Sequence, residues 1–87
     1  MTDKELLQFP TDYPIKVVGH AGTDLRVRID SIMERHVPTA DLTTGTERPS
    51  GQGKYIAFSY SIVARSKPQI IALVEALGTA HGVIMVL

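Results

Sequence analysis

Residues 54–65 read Lys-Tyr-Ile-Ala-Phe-Ser-Tyr-Ser-Ile-Val-Ala-Arg, and this run constrains the fold more than any other stretch of the chain. Ile56, Phe58, Tyr60, Ile62 and Ala64 fall on one parity; Tyr55, Ala57, Ser59, Ser61 and Val63 fall on the other. A helix would scatter either set around its axis, whereas a strand lines up every second side chain on one face. One row is bulky and apolar, the other mostly small. A long strand with such unequal faces belongs in the middle of an antiparallel sheet that packs on a core from one side only.

The rest of the chain supplies partners for that strand. Tyr13–His20 is a second extended segment, with Ile15 and Val17 pointing one way and Lys16 and Val18 the other, until Gly19 and Gly22 break it. A helix follows, with Thr23 as its N-cap and Asp24 in the first turn, where a carboxylate suits the helix dipole. Leu25, Ile29, Ile32, Met33 and Val37 form its apolar stripe, Arg26 and Asp30 are spaced for an ion pair, and Pro38 stops it. In the polar stretch Thr39–Gly53, Leu42–Arg48 reads as a short edge strand, and Pro49–Gly53 as the hairpin tip leading into the central strand. Ser66-Lys67-Pro68-Gln69 is a capping box that opens a second helix, with the stripe Ile70, Ile71, Leu73, Val74 and Leu77 and a stop at Gly78. Val83–Leu87 closes the chain as an apolar strand that must pair. Pro10 and Pro14 make residues 1–12 an irregular arm, laid on the domain by Leu6, Leu7 and Phe9. Residues 13–87 then form one α+β domain of order β-α-β-β-α-β, the ferredoxin-like sandwich: four antiparallel strands with both helices on one face.

Composition narrows the functions. At 87 residues there is room for one core, and such a small core gains from association. The absence of cysteine removes disulfides, thiolate metal sites and cysteine nucleophiles, and fits a reducing compartment. Neither a leader-like apolar run nor a membrane-length one is present, so the expected location is cytoplasmic. Nine basic residues balance nine acidic ones, which speaks against nucleic acid or an anionic membrane as partner. RNA-recognition domains share this element order, but they stack bases on open-face aromatics. Here Lys16 occupies the first such position, and Tyr55 is the lone ring on the open face if Phe58 and Tyr60 face the core. The His residues at 20, 36 and 81 show no metal-ligand spacing, no carboxylate pair is set for acid–base work, and no serine sits in a nucleophile elbow. The expectation is a protein that is not an enzyme and uses no cofactor and no metal.

Two places remain as candidate sites. Gly19, His20, Gly22, Thr23 and Asp24 join the first strand to the first helix, where backbone amides can hold a carboxylate and His20 or Asp24 can meet an amine or hydroxyl. The plainer reading is a turn that needs glycine for its geometry. The second place is the open sheet face, where Val18, Ala57, Val63 and half of the terminal strand form an apolar band, interrupted by Ser59, Ser61 and Lys16, that suits self-association or another protein.

Leu7-x-Phe9-Pro10-x-x-Tyr13-x-x-Lys16-Val17-x-Gly19, the turn Pro49-Ser50-x-x-Gly53-x-Tyr55 and the closing Met85-Val86-Leu87 together resemble the YbeD-like family, small bacterial proteins of unknown function. The resemblance implies the same fold, similar to ACT-type regulatory domains that bind amino acids and pair as dimers, and a link to lipoate metabolism. It brings no catalytic or binding residues with it. The functional expectation is a regulatory or adaptor module, a homodimer, that binds a small metabolite or a partner enzyme. The alternative is a pure protein-interaction domain using the open face, and an RNA-binding domain ranks below both.

Overall fold

A computed structural model describes residues 8–22 and 24–87. The strands are β1 (Thr11–His20), β2 (Leu42–Ser50), β3 (Tyr55–Ala64) and β4 (Val83–Val86). The helices are α1 (Leu25–His36) and α2 (Lys67–Gly78), and a single 3-10 turn, Thr39–Asp41, leads into β2. The sheet order is β2-β3-β1-β4 with every neighbour antiparallel, the ferredoxin-like arrangement.

The parity of β3 decides where the core lies. Phe58, Tyr60, Ile62 and Ala64 are buried with Ile15 and Val17 of β1, against Leu25, Ile29, Ile32 and Met33 of α1 and Ile70, Leu73 and Leu77 of α2. All of these sheet residues share one face, so both helices cover that face and the other stays open. Val83 and Val86 extend the core under the helices on the β4 side, whereas every residue of β2 is exposed. The helical layer therefore sits over β3, β1 and β4 and leaves β2 standing beyond it. Tyr60, 7% exposed, lies near that boundary, and its phenol donates to Asp30 Oδ1 at 3.3 Å. Burial, and then the Asp30 charge, push the phenol pKa upward. Arg26 lies 3.7 Å from Asp30 and, at 2.6 Å, reaches Glu47 of β2. Asp30 thus tethers a core tyrosine and joins an α1–β2 bridge, which is more than the ion pair with Arg26 that its spacing suggests.

Three boundaries differ from the sequence expectation. β1 begins at Thr11, so Thr11 and Asp12 belong to the sheet, opposite Ala64 and Val63, and not to the arm. Pro14 is tolerated inside β1 because of where its nitrogen points. Lys16 N–H and His20 N–H both donate toward the β4 segment, to Leu87 O and Gly82 O. Pro14, two residues before Lys16, faces the same side, past the Lys16–Leu87 pair, so its missing N–H interrupts no β1–β4 hydrogen bond among the described residues. β2 runs on through Pro49 and Ser50, which pair with Ile56 and Tyr55, so the hairpin tip is confined to residues 51–54. α1 begins at Leu25, with Asp24 as its N-cap in a left-handed conformation (φ 53°) and its carboxylate making no capping bond. Asp24 is therefore not in the first turn. Thr23, the expected cap, lies outside the described residues, as do Leu6 and Leu7 of the arm; Phe9 packs against the core as expected.

One end of the sandwich is closed by a polar knot. Ser66 caps α2 by accepting from Gln69 N–H at 3.2 Å. Instead of returning to the cap residue, the Gln69 side chain accepts from Arg65 N–H at 2.7 Å and donates to His36 O at 2.9 Å, tying the end of α1 to the start of α2. Arg65 grips Asp41 through both carboxylate oxygens, at 2.8 and 3.1 Å. Asp41 is only 5% exposed, and the hydrogen bonds from the Arg65 guanidinium hold its carboxyl below the usual carboxylate value. A depressed folded-state pKa gives stability that is complete above the unfolded value, near 3.8, and is lost as pH falls through the lower folded one. Asp41→Asn should be less stable than wild type at neutral pH, and melting curves from about pH 5 to about pH 1 should show a shallower acid loss than wild type. Parallel curves would remove Asp41 from this role.

Gly19 sits where the fold leaves no room for a side chain. A Cβ there would run into the Leu25 side chain and the Gly82 carbonyl oxygen. The Leu25 side chain has some freedom to move, but the carbonyl belongs to the backbone that feeds β4. Gly19→Ala should therefore cost about 1–3 kcal/mol by overpacking, read from denaturant unfolding. The open surroundings of Gly22 limit Gly22→Ala to the strain of its positive φ, 81°, roughly 1 kcal/mol.

Candidate functional site

The strand-to-helix loop is mostly committed to the fold. Gly19 is buried by the contacts above. His20 N–H donates to Gly82 O at 2.9 Å and Ala21 N–H donates to Lys54 O at 3.0 Å. Two of the amides that would have cradled an anion are thus spent inside the protein. Gly22 (φ 81°) and Asp24 (φ 53°) both take left-handed backbone, the signature of a tight turn. The His20 ring leans against Tyr55, with centroids 5.8 Å apart and planes tilted by 42°. That contact lies on the open sheet face, so His20 belongs with the sheet surface as much as with the loop.

The open face carries a patterned surface. Among the three expected contact residues, Val18 and Ala57 are direct cross-strand partners, while Val63 sits at the far end opposite Asp12. The apolar band continues from Val18 to its other partner, Met85, and on to Leu87, which is paired with Lys16 by two backbone hydrogen bonds of 2.7 and 3.0 Å. Ile84 is the extra residue where the register shifts between Val18 and Gly19. Ile84, Met85 and Leu87 are 44%, 47% and 69% exposed. The sequence expects this terminal strand to pair and to put half of its side chains on the open face; the strand order adds that it forms an edge of the sheet among the described residues.

Beside this strip lies a polar tile. Thr44 pairs with Ser61, Thr46 with Ser59, and Ser59 in turn with Lys16. Two shallow depressions meet there. One of about 430 Å³ is lined by Pro14, Lys16, Thr44, Thr46, Ser59, Ser61 and Leu87. The other, of about 370 Å³, is lined by Lys16, Thr46, Arg48, Ala57, Ser59 and Glu47. Hydroxyls and cations bind and orient; without a nucleophile–base pair or metal ligands they do not suggest a reaction. Among the described residues no group of three His, Asp or Glu is placed to hold a metal ion, and no helix is long and apolar enough to cross a membrane.

Comparison with solved structures places this architecture beside known ones. The ACT domain of GTP pyrophosphokinase from Chlorobium tepidum is similar with a TM-score of 0.73 at 18% identity, covering 88% of this chain and 97% of that one. Uncharacterized protein TM1266 of Thermotoga maritima is similar with a TM-score of 0.70 at 16% identity, covering 87% and 90%. Identities this low establish the shared fold alone. By sequence, the chain is 36% identical to a UPF0250 protein of Hahella chejuensis and 33% identical to one of Nitrosomonas europaea, each over the full length of both chains. A UPF0250 protein of Pseudomonas syringae is 37% identical, again across both full lengths. The family model described as "Protein of unknown function (DUF493)" matches residues 4–87. The resemblance to small bacterial proteins of unknown function with an ACT-like fold therefore holds, and the chain belongs to the DUF493 family.

Proposed function

We propose that this protein is a non-catalytic regulatory or adaptor module of the cytoplasm that works through protein contact: two copies pair along β4, and the open sheet face receives a partner such as an enzyme. The contrast between the two sheet edges carries this reading. A free strand edge invites another strand, and proteins protect such edges with charges, proline, glycine or bulges. β2 has all of these: Glu47 and Arg48, Pro49, Gly45, and a register shift between Leu42 and Thr44. β4 reads Val-Ile-Met-Val, carries no charge or proline, and leaves Ile84 and Met85 exposed. Its protection is limited to its shortness and the one-residue bulge at Ile84. Pairing β4 with a second β4 would satisfy the free backbone edge and join the two open faces into one surface. The ACT domain that shares the fold is a domain of a larger enzyme, which accords with a module that acts on other proteins.

Binding of a metabolite such as an amino acid at Gly19, His20, Gly22, Thr23 and Asp24 is the less favoured form of the same role, because the His20 and Ala21 amides already have acceptors.

Wild-type protein should sediment as a dimer at micromolar concentration. Ile84→Lys, which places a charge on the edge, should sediment as a monomer with an unchanged circular dichroism spectrum. A monomeric wild type, or a dimeric Ile84→Lys, would contradict pairing through β4. Titration with amino acids and with lipoate should leave the backbone amide signals of the Gly19–Asp24 loop in place, and saturable movement there would restore the metabolite form. Val63→Glu should weaken capture of a protein partner without unfolding the chain; undiminished capture would exclude the Val63 end of the face.

A further inference from the structure

Resting on the reading that the open face receives a partner, we propose that its occupant is an acidic segment of a partner protein, with carboxylates on Lys16 and Arg48 and apolar side chains on Val18, Met85 and Leu87. Three features of the face lead to this chemistry. Lys16 and Arg48 both line the same 370 Å³ depression, and neither side chain has an ion-pair partner among the described residues. Glu47 also lines it, but its carboxylate is held from the helix side by Arg26 at 2.6 Å. The one carboxylate of the open face among the described strand residues, Asp12, lies at the far end opposite Val63.

The second feature is the hydroxyl tile. Thr44, Thr46, Ser59 and Ser61 surround the lysine on two neighbouring strands. Hydroxyl groups rotate to donate, and donation to a charged oxygen is stronger than to a neutral one. The third is position: Lys16 is paired with Leu87, and Val18 with Met85. A segment that alternates carboxylates and apolar side chains meets both chemistries within one or two residues.

The same pattern disfavours other occupants. A second copy stacked face to face would add two more cations, Lys16 and Arg48, and only one strand carboxylate, Asp12, to the covered surface. Nucleic acid would need more than two cations and the single ring of Tyr55. A basic segment would be repelled by Lys16 and Arg48, the charges at the centre of the hydroxyl tile.

A synthetic peptide of alternating Leu and Glu, its Leu-Lys counterpart and a single-stranded RNA oligonucleotide provide the test, each titrated into the full-length isotope-labelled protein. The Leu-Glu peptide should shift the backbone amides of Lys16, Thr44, Thr46, Ser59 and Ser61, and binding should weaken as salt rises. Lys16→Glu should lower its affinity by roughly tenfold or more, Lys16→Gln by less, and Thr46→Ala with Ser59→Ala by roughly threefold. Unchanged spectra of the free variants would show that each still folds. The proposal is overturned if the Leu-Glu peptide moves nothing at low salt, if the Leu-Lys peptide or the RNA binds as well, or if Lys16→Glu has no effect. Binding confined to Val18, Met85 and Leu87 and indifferent to Lys16 would reject the acidic occupant while leaving the docking face and the β4 dimer in place.

Discussion

Burial of one row of β3 beneath two helices is the interaction on which the other features depend. Phe58, Tyr60, Ile62 and Ala64 supply the sheet side of the core, joined by Ile15 and Val17 from β1. Each large side chain taken from water contributes about 1.5–3 kcal/mol, and in a chain of 87 residues few other terms reach that size. Once this row faces the helices, Tyr55, Ala57, Ser59, Ser61 and Val63 must face the opposite way. The open surface is therefore a consequence of the packing, and its composition is free to be set by contact with something else.

The helical layer is offset, and the two sheet edges differ as a result. α1 and α2 extend the core toward β4, where Val83 and Val86 lie against it, and stop short of β2, which is exposed along its whole length. A strand with both faces wet cannot be held by apolar burial. It is held by its ladder to β3 and by the exposed Arg26–Glu47 bridge, and exposed pairs of that kind are worth little individually. β2 accordingly carries polar and turn-prone residues and is protected against further pairing. β4 has the reverse problem: its core side needs valines, and its outer side remains apolar.

Much of this was legible in the sequence because it follows from short-range periodicity. The β3 parity, the stop at Pro38 and the Ser66 cap each depend on residues within a few positions of one another. What was hidden depends on contacts between distant segments. Gly19 reads as a breaker or a ligand cradle, and its tight packing against Leu25 and Gly82 appears only when β4 is brought alongside. Pro14 reads as a residue that keeps the preceding arm from being helical, and its tolerance inside β1 becomes intelligible once its nitrogen is seen to face the β4 side, past the Lys16–Leu87 pair of the described residues. Asp30 reads as the ion-pair partner of Arg26, and its bond to Tyr60 crosses thirty residues of chain. For the candidate sites the same division holds. The open face followed from parity, as did the distance of Val63 from Ala57 along one strand, whereas the pairing of Val18 with Ala57 needed the register.

A net charge of zero conceals how the charges are sorted. On the helix side Asp30 and Glu47 share Arg26, and Asp41 is gripped by Arg65. Those charges are compensated within the molecule and contribute little field at a distance. On the open face Lys16 and Arg48 stand among hydroxyls without such compensation. A surface of this kind attracts only at short range and only where shape brings a carboxylate close. That favours the proposed protein contact over the long-range capture of a polyanion, so electrical neutrality is compatible with the charge-selective face proposed for this small domain.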